Sequence, residues 1–111
     1  MLTIRYEMTF AVSGCADLDA ETDKLMEALL SMEASDSTIT DSDVSCNFTT
    51  GELIVSVCLT DGGLDSANIK ANSVIRSAIQ SIGGATTEWP SEKSKSNAAE
   101  YEFRKQESLV A

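Results

Sequence analysis

Asp43-Val-Ser-Cys-Asn-Phe-Thr-Thr-Gly-Glu-Leu-Ile-Val-Ser-Val-Cys-Leu-Thr60 is the stretch that decides the fold. In its first part Val44, Cys46 and Phe48 alternate with Ser45 and Asn47. In its last part Leu53, Val55, Val57 and Leu59 alternate with Ile54, Ser56, Cys58 and Thr60. A period of two sends successive side chains to opposite faces, which is the pattern of a strand. Thr50-Gly51 between the two runs is a turn signal. The stretch therefore reads as a hairpin, with strands at about 43–49 and 53–60.

Helical periodicity flanks this hairpin on both sides. Before it, Leu18, Thr22, Leu25, Leu29 and Met32 recur at helical spacing, widened by Met26 and Leu30. This predicts a helix over 18–33, capped by Asp17 or Asp19 and ended by Ser35-Asp36-Ser37. After the hairpin, Asp61-Gly62-Gly63 punctuates the chain. Ala67, Ala71, Val74, Ile75, Ala78, Ile79 and Ile82 then share one side of a helix over 64–82. Gly83-Gly84 is a natural helix stop, because glycine accepts the left-handed conformation at a C-cap.

Strands close the pattern at both ends. In residues 2–13, Ile4, Tyr6, Met8, Phe10 and Val12 alternate with Thr3, Arg5, Glu7, Thr9 and Ala11. A short fourth strand is expected at about 85–89, ending at Pro90. The order β-α-β-β-α-β is the ferredoxin-like arrangement. Right-handed crossovers place both helices on one face of a four-stranded antiparallel sheet, an α+β sandwich. The expected core is Tyr6, Met8, Phe10, Leu25, Leu29, Phe48, Val55, Val57, Val74, Ile75 and Ile79. Residues 1–90 are read as the domain. Residues 91–97 read as a polar linker, and the tail beyond contains Tyr101 and Phe103. That tail fits an extra strand, a short helix or a flexible tail. Its aromatics and Arg104 and Lys105 favour a strand or short helix that docks on its own domain or a dimer mate and covers bare sheet surface.

Composition narrows the function classes. The chain has 111 residues, suiting one domain, and 42% are hydrophobic, enough for a core without metals or disulfides. Net charge is −10, and residues 91–111 carry equal numbers of each sign, so the excess lies in 1–90. Such a surface repels phosphate backbones and anionic lipid, so neither nucleic acid nor membrane is an expected partner. No run approaches the roughly 18 apolar residues of a membrane span, and the alternating N-terminus has no signal-peptide core. The three cysteines, Cys15, Cys46 and Cys58, are an odd number and form no disulfide framework. A reducing, cytoplasmic setting is the expectation. Histidine is absent, which removes histidine-based nucleophile systems, zinc sites and proton shuttles.

Three segments carry a resemblance. Met26-Glu-Ala-Leu-Leu30, Thr40-Asp-Ser-Asp-Val-Ser45 and Ala78-Ile-Gln-Ser-Ile-Gly-Gly-Ala-Thr-Thr-Glu-Trp89 resemble corresponding runs in a group of small proteins of actinobacteria and of the viruses that infect them. The likeness spans about residues 2–90. It implies the ferredoxin-like fold alone and brings no functional residues.

No residue earns a catalytic, cofactor-binding or metal-ligating assignment. Val12-Ser13-Gly14-Cys15 sits where acylphosphatases, which share this order of elements, hold a phosphate. It lacks the arginine such a loop needs. Cys15 lies near a helix N-terminus, but the neighbouring Asp17 and Asp19 oppose a thiolate. Asp36, Asp41 and Asp43 lack the spacing of a calcium loop. Cys46 belongs to the apolar face of the hairpin and Cys58 to the opposite one. The open face of the sheet should display Arg5, Glu7, Thr9, Ser45, Asn47, Ser56, Cys58 and Thr60. It lacks the stacking aromatics of an RNA-binding sheet.

These readings favour a non-catalytic binding or assembly module without cofactor, expected to form a homo-oligomer, with a homodimer foremost, or to bind another protein. The alternative is an ACT-like regulatory domain sensing a small molecule near Gly62-Gly63. An enzyme using Cys15 or a carboxylate pair ranks last.

Overall fold

The computed structural model describes residues 2–14, 17–83, 85–86 and 100–110. Its elements in chain order are β1 (Leu2–Ser13), α1 (Leu18–Ser35), β2 (Ile39–Asn47), β3 (Glu52–Asp61), α2 (Leu64–Ser81), β4 (Ala85–Thr86) and β5 (Glu100–Val110). The sheet order is β2-β3-β1-β5-β4. The four long strands pair antiparallel, and the two-residue β4 runs parallel to the start of β5. With two helices packed on it, this is the α+β ferredoxin-like sandwich expected from the sequence.

The strand beside β1 is the main surprise. Residues 100–110, read from the sequence as a tail that docks as a strand or short helix, take the place beside β1 expected for the fourth strand and pair with it from Ile4 to Ser13. Of the segment near 85–89, the described Ala85–Thr86 pair parallel with β5 at the sheet edge. Burial explains the preference. Tyr101 is fully buried, and its ring meets Phe10 edge-on at 5.8 Å. Phe103 packs edge-on against the same Phe10 ring at 6.0 Å. Both aromatics thus enter the core between sheet and helices instead of covering the open face. The expected end of the short strand at 87–90 and the linker at 91–97 lie outside the described residues.

The core follows the alternation. Ile4, Tyr6, Met8 and Phe10 of β1 join Leu53, Val55, Val57 and Leu59 of β3. Leu25 and Leu29 of α1 cover them together with Ala67, Ala71, Val74, Ile75, Ala78 and Ile79 of α2. The alanines let α2 lie close to the sheet. Asp17 caps α1, accepting from the backbone N–H of Asp19 and Ala20.

Phe48 departs from expectation. It is 68% exposed and is not a core residue. The strand ends one residue earlier, at Asn47, whose side chain accepts from the N–H groups of Thr49 and Thr50. That local turn stops the alternation before Phe48. Gly51 completes the turn at φ 73, a left-handed conformation that suits glycine. β2 also starts earlier than expected, at Ile39, because a bulge between Thr40 and Asp43 hides its alternation. Asp41 takes φ 50 there, and the N–H of Ser42 is held by Glu33 of α1 at 3.0 Å.

Candidate interaction face

The helices cover one side of the sheet, and among the described residues nothing covers the other. Strand register fixes what that open side displays. Arg5 stands beside Cys58 on β3 and Leu109 on β5. Two residues further along β1, Glu7 stands between Ser56 and Glu107, with Asp43 beyond on β2. Next, Thr9 stands between Ile54 and Lys105, with Ser45 beyond. Last, Ala11 stands between Glu52 and Glu102, with Asn47 beyond. Every open-face residue expected from the sequence lies here, Thr60 included, paired with Thr3.

Sequence reading missed the contribution of β5. Glu102, Arg104, Lys105, Glu107 and Leu109 complete the face only once β5 is placed beside β1. The alternation of Glu100, Glu102 and Arg104 with the aromatics was the available signal. A bulge opposite Thr9 and Phe10 then changes the phase. Arg104 is the extra residue, and it joins Lys105 on the open side, bonding Glu102 at 3.2 Å. Lys105 bonds Glu107 at 3.2 Å.

The middle of this face is smooth. Thr9, Ser56 and Cys58 are only 5%, 2% and 8% exposed, because they are short and their neighbours are long. The Arg5 guanidinium lies down over β3 and donates to Ser56 Oγ at 3.1 Å. A shallow depression of about 280 Å³ opens between Arg5, Glu7, Glu107, Ser108 and Leu109.

Other polar clusters hold the fold together. Tyr101 Oη donates to Glu21 Oε1 at 2.8 Å, tying β5 to α1 inside the core. Lys70 bridges Asp36 at 2.8 Å and donates to Thr38 Oγ1 at 2.6 Å, tying α2 to the end of α1. That ammonium first, then the Thr38 hydroxyl and N–H, hold the Asp36 carboxyl well below the usual carboxylate range. Asp61 is lowered by the Ser66 hydroxyl and then by the Gly63 N–H. Burial, and secondarily the charge of Asp61, raises the Tyr6 phenol.

The Gly62-Gly63 loop, the place considered for small-molecule sensing, is closed by its own bonds. Asp61 Oδ1 accepts from Gly63 N at 3.1 Å and from Ser66 Oγ at 2.6 Å. A second depression, of about 310 Å³, follows α2 along Asn68, Ile69, Asn72, Ser73 and Arg76. Gln106 of β5 already engages Asn68 there at 2.6 Å.

Cys46 faces the helices beside Leu53, and Cys58 faces the open side beside Arg5, so they leave the sheet in opposite directions. Both are free thiols. Cys15 lies outside the described residues. Among the described residues no three His, Cys, Asp or Glu side chains form a metal-binding group, and no helix is long and apolar enough to cross a membrane.

No protein-family model, curated protein or solved structure matches this chain.

Proposed function

We propose that this protein is a non-catalytic assembly module that works as a homodimer through the open face of its sheet. The observation that supports the reading is that face itself. Four long strands present a broad, mainly polar surface, with Leu109 exposed on it, that nothing among the described residues covers. Its centre is flattened by the nearly buried Thr9, Ser56 and Cys58. A broad sheet surface with a shallow depression suits docking against another surface better than enclosing a small ligand, for which sites are concave and mostly apolar.

A protein partner fits better than a nucleic acid. The chain carries −10 net charge, and the described strand aromatics Tyr6, Phe10, Tyr101 and Phe103 all lie on the helix side of the sheet. Size-exclusion chromatography with light scattering tests the reading directly. A mass near twice 11.9 kDa that falls on dilution is the expected result. A mass of one chain at every concentration refutes it. Thermal-shift screening against amino acids and nucleotides should leave the melting temperature unmoved. A specific rise would favour the ligand-sensing alternative instead.

A further inference from the structure

We infer that two copies stack sheet on sheet with their strands antiparallel, held in that register by an alternating ladder of charged rows. This rests on the reading above that the open face is an assembly surface, and it adds the geometry of the pairing.

The ladder follows from strand register alone. Successive rows along β1 lie two residues apart, about 7 Å. The first row is positive, carrying Arg5. The second is negative, with Glu7, Glu107 and Asp43. The third is positive, with Lys105 and its bulge neighbour Arg104. The fourth is negative, with Glu102 and Glu52. Signs alternate over an even number of rows.

That parity selects one two-fold operator. A two-fold axis running across the strands, between the second and third rows, lays each strand over its own mate in the opposite direction. The first row then meets the partner's fourth and the second meets the partner's third. Each charged row then faces a row of opposite sign, and on β5 Lys105 lies directly over the partner's Glu107. An axis running along the strands lays each row over its own copy and opposes like charges throughout, which costs binding.

The outer edge of the sheet at β2 offers a poorer route to self-pairing. The outer edge of β2 carries Asp41 and Asp43, so two such edges repel. It is also bent by the bulge at Asp41 and Ser42, a device that blunts edge pairing. The open face sets Arg5, Arg104 and Lys105 among five carboxylates on a molecule of net charge −10, so its own charge is closer to balance and two copies meet less repulsion there.

The footprint sets the strength. Four strands about 4.8 Å apart and about eight residues long cover roughly 500 Å² per copy. Some 1,000 Å² in total is about the smallest area of a specific interface. The dimer is therefore dynamic and weakens with added salt, because its selectivity comes from exposed charges.

Two charge reversals and their mixture form the test, read by sedimentation velocity over a concentration series. In Lys105→Glu, the introduced carboxylate meets the partner's Glu107. In Glu107→Lys, the introduced ammonium meets the partner's Lys105. Each variant alone should dimerise at least about tenfold more weakly than the wild type. Mixed in equal amounts, the two variants pair oppositely at both contacts, and affinity should return to within about threefold of wild type. The intramolecular Lys105–Glu107 bridge is lost in both variants, so it cannot produce this rescue.

Same-row stacking gives the reverse result, single variants equal to wild type and a mixture tighter than wild type, and overturns the antiparallel geometry. Spin labels at Thr60 should lie roughly 35 Å apart across the antiparallel dimer. A separation near 10–15 Å overturns it equally. A wild-type dimer indifferent to both reversals leaves the assembly reading standing and rejects this interface. A wild-type chain that stays monomeric rejects both.

Discussion

Tyr101→Phe tests how β5 is held. The substitution removes one hydroxyl and keeps the ring, so the edge-on contact with Phe10 at 5.8 Å survives. What changes is the bond from Tyr101 Oη to Glu21 Oε1, 2.8 Å long, between a fully buried tyrosine and a carboxyl residue only 7% exposed. Losing a hydrogen bond and leaving its buried acceptor short of a donor costs about 1.5–3 kcal/mol. For a domain of this size the loss corresponds to a fall in melting temperature of roughly 6–12 °C. Urea unfolding measures it, and the slope against denaturant should stay the same, because the surface exposed on unfolding hardly changes. Amide exchange should show β5 opening more readily, with the hairpin of β2 and β3 less affected. A double-mutant cycle with Glu21→Gln should give a coupling of about 1 kcal/mol or more. A loss below about 0.5 kcal/mol in Tyr101→Phe with an unchanged slope refutes the claim that this buried bond anchors the strand.

The remaining predictions concern other parts of the fold. Leu29→Ala, at a fully buried position of α1, should cost about 2–5 kcal/mol in urea unfolding, and a loss under about 1 kcal/mol would show the helix face to be misplaced. Phe48→Ser, at an exposed turn position, should change stability by no more than about 0.5 kcal/mol. The folded state holds the Asp36 carboxyl below its unfolded value, so its contribution is present above about pH 4 and is lost as pH falls. Asp36→Asn should therefore lower the melting temperature at neutral pH and flatten its fall on acidification, and an unchanged acid limb would contradict the Lys70 bridge as the cause. Cys46 and Cys58 should stay unlinked in a nonreducing digest, with equal melting temperatures in reduced and oxidised samples.

Local pattern was enough to place β1, both helices and the hairpin, because each is a run whose period is set by its own backbone. The strict alternation of residues 2–13 became β1 with the same bounds, and α1 and α2 begin where their caps and punctuation indicated. The open-face residues of β1, β2 and β3 were legible for the same reason, since parity along a strand fixes which side each residue takes. Phe48 failed because an Asx turn at Asn47 ends the strand before parity can act, and no periodicity reports that. The bulge at Asp41 and Ser42 likewise hid the first residues of β2.

What the sequence by itself determined was β1, the two helices, the hairpin of β2 and β3, their order and the two-sidedness of each of those strands, all properties of neighbours along the chain. The tertiary structure decided which segment lies beside β1. Residues 85–89 read as a strand and the tail as a strand or a short helix, and it is the tail, with Tyr101 and Phe103 around Phe10 and the bond to Glu21, that lies beside β1. The same pairing decided the charge rows of the open face. Arg5, Glu7, Lys105, Glu107 and Glu102 are scattered along the chain, and their order across the sheet exists only once register and the bulge at Arg104 are fixed. Pairing between distant strands is settled by burial and complementary packing, which no local window of sequence contains.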